Sequence, residues 1–109
     1  MSKGNNYPYN IDWFKKQEFC LDLTDPNYKQ PSTADLVFLI QHMGWNQKDI
    51  SLIVGAKYTK KSGSSAIRSW TTTKKHHVQI PYSSWRLLLV TAGIVSQDNV
   101  NNSLNNLKS

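Results

Sequence analysis

The sequence has a single cysteine, no long apolar run and, over nearly half its length, no acidic residue. The lone Cys20 excludes an internal disulfide and a zinc site built from several cysteines, and we expect it to be a small buried hydrophobe. No stretch of about 18 apolar residues exists, so the sequence offers no membrane-spanning helix. The first ten residues lack the apolar segment of a secretion signal, and a cytoplasmic protein is expected.

The missing acidic residues define a basic half of the chain. Residues 50–97 contain seven Lys or Arg and no Asp or Glu, whereas residues 1–49 hold five Lys and six acidic residues. The formal net charge of +6 is therefore concentrated in the second half. Such an imbalance favours a polyanion-binding surface, with a plain solvated basic face as the alternative.

Length and turn residues predict one small, mostly α-helical domain with flanking segments. We expect an N-terminal extension over residues 1–31, because turn residues around Pro26 and Pro31 mark its end. Either this arm or the last helix and the tail would supply a dimer contact. A helical domain over residues 32–96 follows. A flexible, Asn-rich tail is expected over residues 97–109, with a marginal helix that orders only on a partner as the alternative.

The pattern within the extension fits two structures. A helix over residues 13–21, capped by Asp12, is the preferred prediction, although a strand over residues 19–23 fits about as well. Trp13 and Phe14 are candidate dimer contacts, with ordinary core packing as the alternative.

Capping residues, glycines and apolar stripes at i, i+3, i+4 spacing predict four further helices. Side-chain oxygens at a helix start accept free backbone N–H groups, and glycine adopts the left-handed conformation that ends a helix. The predicted helices begin after Ser32 or Thr33, after Asn46, near Ser64 and at Ile80-Pro81, and they end at Gly44, Gly55, Trp70 and Gly93.

The helix over residues 64–70 is predicted to present a polar face outward. Ala66, Ile67 and Trp70 form its apolar stripe, which leaves small serines and one arginine exposed. Small side chains let a helix approach a DNA major groove closely, and a guanidinium can bind guanine O6 and N7 together. The predicted base contacts are Ser64, Ser65, Arg68 and Ser69.

Basic and hydroxyl-bearing residues flank this helix, as expected of side chains that hold DNA phosphates. The predicted phosphate contacts are Lys48, Lys57, Tyr58, Thr59, Lys60, Lys61, Thr71, Thr72, Thr73, Lys74 and Lys75. The adjacent His76 and His77 have no Cys, Asp or Glu nearby in the sequence, so we expect them along phosphates rather than on a metal. No cofactor, metal or small-molecule ligand is expected.

Residues 33–95 resemble the lambda-repressor/Cro-like (Xre-type) helix-turn-helix family. The matching features are buried Ile50 and Val54, small Ser51, the turn Gly55, buried Ile67 and Trp70, Ile80-Pro81 and the Trp-containing segment at 85–88. The resemblance implies a compact helical bundle with a DNA-binding helix-turn-helix, and it places Gln47 where the family has a phosphate-contacting Gln. The spacing from Gly55 to Ile67 is longer than in the family, so the insertion must loop out or lengthen the recognition helix.

Together these patterns predict a sequence-specific regulator of transcription that binds double-stranded DNA. Its family resemblance implies a homodimer on an inverted repeat, and the lack of an obvious sensor or enzymatic domain favours a repressor that occupies a promoter of a phage, plasmid or other mobile element. A protein-interaction module, such as an antitoxin or anti-defence protein, is the alternative. An enzyme is not expected, because the basic half has no carboxylates to hold catalytic metals.

Overall fold

The computed structural model describes residues 10–95, which are mostly helical. In this range the α-helices are α1 (Ile11–Lys15), α2 (Thr33–Met43), α3 (Gln47–Val54), α4 (Ser65–Thr71) and α5 (Tyr82–Thr91). A 3-10 helix, Glu18–Cys20, follows α1, and the range contains no strand beyond one isolated bridge. None of its helices is long and apolar enough to cross a bilayer. The predicted tail over residues 97–109 lies outside the described residues, as does the start of the extension.

Side-chain caps and left-handed glycines set the bounds of α2 and α3. Ser32 and Asn46 each accept a hydrogen bond from the backbone N–H three residues later, and the aspartate there bonds back to the cap. Gly44 and Gly55 end the two helices with φ angles of 72° and 74°. These predicted bounds are confirmed.

The core takes apolar side chains from every helix. Its buried members are Phe14, Phe19, Cys20, Leu36, Phe38, Leu39, Ile50, Ile67, Trp70, Ile80, Trp85, Leu88 and Leu89. Burial raises the pKa of Cys20 to about 12, so its thiol stays protonated at neutral pH. The prediction that Cys20 is a buried hydrophobe is confirmed.

The N-terminal segment differs from its predicted structure. Two short helical pieces, α1 and the 3-10 helix, replace the single helix over residues 13–21, and Asn10 caps α1 in place of Asp12. Phe14 is 0% exposed within the chain's own core and is not available as a dimer contact. Trp13 also packs, partly buried, against that core.

Arg86 of α5 fastens the N-terminal segment to the helical body. Its Nη2 forms an ion pair with Asp22 Oδ1 at 2.6 Å, and its Nη1 donates to the Cys20 carbonyl at 3.2 Å. The neighbouring Trp85 Nε1 donates to the Phe19 carbonyl at 2.7 Å. The Arg86 side chain is only 6% exposed. Arg86 is one of the seven cations counted in residues 50–97, but because it is buried it forms no part of a basic surface.

Candidate nucleic-acid interface

One side chain anchors the start of α4 to the start of α3. Gln47, the first residue of α3, accepts a hydrogen bond at Oε1 from the backbone N–H of Ser64, 2.9 Å away. Because Ser64 is the N-cap of α4, this contact fixes one end of α4 against α3. The Oε1 of Gln47 is therefore committed inside the protein, and its Nε2 is the group left for the predicted phosphate contact.

Ser64 itself faces the interior. It is 1% exposed, and its Oγ accepts a hydrogen bond from the backbone N–H of Ile67 at 3.3 Å. The hydroxyl oxygen thus accepts a hydrogen bond from a backbone N–H in the first turn of α4, as N-cap serines usually do. The prediction of a base contact from Ser64 is wrong for this reason.

Ser65, Arg68 and Ser69 remain on the outer side of α4. Ser65 and Arg68 are exposed, and Ser69 is half-buried. The Ser69 hydroxyl donates to the carbonyl three residues earlier at 2.7 Å, and the Thr71 hydroxyl donates to the carbonyl four residues earlier at 3.0 Å. Both hydroxyls can still accept hydrogen bonds, but their protons are committed to the helix backbone.

A tight turn over residues 59–63 closes the long spacing that precedes α4. The Thr59 N–H donates to the Gly63 carbonyl at 3.0 Å, and the Gly63 N–H donates to the Thr59 carbonyl at 2.7 Å. Thr59 Oγ1 lies 2.6 Å from Ser62 Oγ and accepts from the Ser62 N–H at 3.1 Å. The long segment between Gly55 and α4 therefore loops out and does not lengthen α4. Its exposed tip carries Lys60 and Lys61.

Arg68 joins this turn to α4. Its Nη1 donates to the carbonyl of Ser62, which uses one of the five N–H donors of the guanidinium. Gly63 has a φ of 69°, and a Cβ at this residue would lie 2.5 Å from Gln47 Oε1 and 3.1 Å from Arg68 Nη1. The positive φ and the close packing between two side chains both favour glycine at this position.

The basic loop after α4 is also folded. His77 Nδ1 lies 2.8 Å from the Thr72 carbonyl, and the His77 N–H donates to the Lys74 carbonyl at 2.9 Å. The Lys74 N–H donates to Thr72 Oγ1 at 3.1 Å. These contacts occupy the backbone of the loop and leave the side chains of Lys74, Lys75 and His76 exposed.

Two adjoining grooves share Ser65 and Arg68. The larger, of about 490 Å³, is lined by Ser65, Arg68, Ser69, Thr71, Thr72, Lys74 and His76. The smaller, of about 220 Å³, is lined by Lys57, Thr59, Ser62, Gly63, Ser65 and Arg68. No acidic side chain lines either groove, and residues 10–95 contain no group of three His, Cys, Asp or Glu placed to hold a metal ion.

The structure brings many of the predicted contact residues to these grooves. Those that line them are Lys57, Thr59, Ser65, Arg68, Ser69, Thr71, Thr72 and Lys74. Lys60, Lys61, Thr73 and Lys75 are exposed in the two flanking loops, Tyr58 is half-buried, and Lys48 is exposed on α3. Two residues that line the grooves, Ser62 and Gly63, are not among the predicted DNA contacts. His76 also lines a groove, and the sequence predicts it to lie along phosphates.

We expect Gly63→Ala to lower the free energy of unfolding by about 2–3 kcal/mol. A left-handed residue other than glycine costs roughly 1–2 kcal/mol, and displacing Gln47 from Ser64 removes a hydrogen bond worth about 1 kcal/mol. Urea unfolding measures the loss. Gly44→Ala is the matched control, since Gly44 also has a positive φ but has open space around it. Its loss of stability should reflect only the cost of the left-handed backbone conformation. Equal losses in the two variants would mean that the Gln47–Ser64 contact contributes nothing.

Charge, hydroxyl groups and uncommitted guanidinium donors thus coincide at the outer side of α4. The arrangement has the chemistry of a polyanion-binding surface, built on a helix and its two flanking loops. No protein-family model, curated protein or solved structure matches this chain.

Proposed function

We propose that this chain is a sequence-specific regulator that binds double-stranded DNA and represses transcription by occupying a promoter. The observation that carries the proposal is the pair of acid-free grooves that share the exposed Arg68. Lysines and a guanidinium set among hydroxyl groups, with no carboxylate between them, favour an extended anion such as the DNA backbone. The same guanidinium is suited to reading a guanine edge.

In this proposal α3 and α4 form a helix-turn-helix, with α4 as the recognition helix. The seven residues of α4 make a helix about 10 Å long, which fits a major groove about 12 Å wide. Ile67 and Trp70 face the core, so the opposite side of α4 is the side offered to DNA. The 59–63 turn departs from the shorter connection of the Xre-type proteins that the sequence resembles.

The contacts divide into base-reading and backbone-holding groups. Base edges are assigned to Ser65, Arg68 and Ser69, all on the outer side of α4. The flanking loops carry the exposed cations that would neutralise phosphates on either side of the groove. These cations are Lys57, Lys60, Lys61, Lys74 and Lys75.

Binding as a homodimer follows from the family resemblance, with two half-sites about 10 bp apart, centre to centre, on an inverted repeat. Phe14 is buried and supplies no part of a dimer contact. The proposed sources of the dimer contact are the rest of the N-terminal extension, or α5 together with the tail over residues 97–109. Repression by simple occupancy fits a regulator of a phage, plasmid or other mobile element.

Selection of bound sites from random DNA duplexes tests this function directly. We expect enrichment of one two-fold symmetric site, which would establish sequence specificity and dimeric binding together. Recovery of no preferred sequence, combined with salt-insensitive binding to a protein, would instead support the protein-interaction module.

Arg68→Ala is expected to weaken binding to the selected site by about 1–3 kcal/mol and to relax the preference at one base pair. The reason is that a bidentate guanidinium contact distinguishes guanine from the other bases. Affinities for the selected site and its single base-pair variants give the measurement. Lys75→Ala is the control, because loss of a phosphate contact should weaken all of these duplexes alike. An unchanged preference after Arg68→Ala would remove Arg68 from the base-reading group.

A further inference from the structure

Hydrogen bonds within the 59–63 turn define its conformation. Thr59 and Gly63 exchange two backbone hydrogen bonds, and Thr59 Oγ1 accepts from the Ser62 N–H and shares a further hydrogen bond with the Ser62 hydroxyl. The left-handed Gly63 lets the chain pass directly against neighbouring side chains. The position of the Ser62 carbonyl is therefore set by the turn itself.

That carbonyl accepts a hydrogen bond from Arg68 Nη1, although Arg68 is exposed to solvent. An exposed arginine without such a partner samples many rotamers and loses that freedom when it binds. Here one donor is held by the turn, and the remaining guanidinium donors stay open toward the groove. The hydroxyl protons of Ser69 and Thr71 are already committed to helix carbonyls. Arg68 is thus the strongest donor on the outer side of α4.

We propose that the 59–63 turn is a positioning element that holds the Arg68 guanidinium for its contact with a guanine edge. Thr59, which would touch no base, then becomes a determinant of sequence specificity through Ser62 and Arg68. This inference rests on the proposed DNA-binding function. It also gives the insertion a role beyond contact with the DNA backbone, because the element that carries Lys60 and Lys61 sets the geometry of base reading as well.

Thr59→Val tests the proposal, because valine keeps the shape of threonine but removes the oxygen that holds Ser62. The probes are the selected duplex and its single base-pair variants, measured at one fixed salt concentration. We expect the preference at the base pair read by Arg68 to fall roughly two- to tenfold, which corresponds to the loss of one preorganised side chain. Thr59→Ser, which keeps the hydroxyl, should retain the wild-type preference.

A double-mutant cycle separates positioning from a general effect on folding. In an Arg68→Ala background, Thr59→Val should cause no further loss of preference, because the side chain that it positions is gone. Thr33→Val is the control, since it makes the same substitution at a threonine of α2 that lines neither groove. It should leave the preference unchanged.

Three results bear on the inference in different ways. A wild-type protein with no preferred duplex would overturn the proposed function and this inference with it. A specific wild-type protein whose Thr59→Val variant keeps its preference would overturn the positioning role alone. A uniform loss across all duplexes after both Thr59→Val and Arg68→Ala would place the guanidinium on a phosphate and likewise overturn the role in base reading.

Discussion

Phe14→Ala is expected to lower the free energy of unfolding by about 3–5 kcal/mol, a large part of the stability of a small domain. Phe14 is fully buried, and its ring lies 4.8 Å from that of Phe19, 5.4 Å from that of Phe38 and 6.1 Å from that of Trp85, between centroids. Removing the ring leaves a cavity where the N-terminal segment, α2 and α5 meet. Urea or thermal unfolding of the whole chain provides the measurement.

Leu23→Ala is the control for this experiment. Leu23 belongs to the same N-terminal segment and is also apolar, but it is 54% exposed, so its loss should change stability by no more than about 0.5 kcal/mol. A Phe14→Ala variant that keeps its stability but loses self-association would contradict the structure. That result would support the alternative prediction from the sequence, in which Phe14 is a dimer contact.

The bounds of α2 and α3 are predictable because their signals are local. A capping residue and the aspartate three positions later lie within one helical turn of each other, so the sequence alone shows the pair, as at Ser32 and Asn46. A glycine that follows an apolar stripe likewise marks a left-handed helix end, as at Gly44 and Gly55. No distant contact is needed to interpret either signal.

The N-terminal segment was harder to predict because distant contacts determine its structure. Phe19 and Cys20 sit in a 3-10 helix whose carbonyls receive hydrogen bonds from α5, 66 residues along the chain. The buried Arg86 adds an ion pair to Asp22, 64 residues away. Arginine is rarely buried unless it is paired, so composition alone places it on the surface. The sequence carries no local mark of this pairing.

The types of residue around α4 follow from the sequence, whereas the orientation of their side chains does not. Basic, acid-free composition identified the flanking loops, and the apolar stripe of Ile67 and Trp70 identified the outer side of α4. The Ser64 hydroxyl caps α4, and the backbone N–H of Ser64 is bound by Gln47, which is 17 residues earlier. The closing of the 59–63 turn onto Arg68 depends on a left-handed Gly63. Both contacts arise from tertiary packing that spacing and composition do not encode.

A triple variant with Lys57, Lys60 and Lys61 changed to alanine should show the largest loss of DNA affinity. If each lysine neutralises one phosphate, the slope of log K against log salt should become shallower by about 2.7, which corresponds to a loss on the order of 10²- to 10³-fold at 0.1 M salt. The preference among base-pair variants should change little, because phosphates carry no sequence information directly. Titrations of the selected duplex at several salt concentrations measure both quantities.

A second triple variant, with Lys15, Lys16 and Lys29 changed to alanine, removes the same formal charge from outside the basic half. These lysines are also exposed, so the two variants differ in where the charge is lost and not in how much. If binding depends on the grooves beside α4, the second variant should keep nearly the full salt slope. Equal losses in both variants would mean that net charge alone attracts DNA, and the assignment of the 59–63 turn to the phosphate backbone would fail. If the slope of log K against log salt becomes shallower only in the first variant, the lysines that neutralise phosphates lie on the same side of the molecule as Arg68.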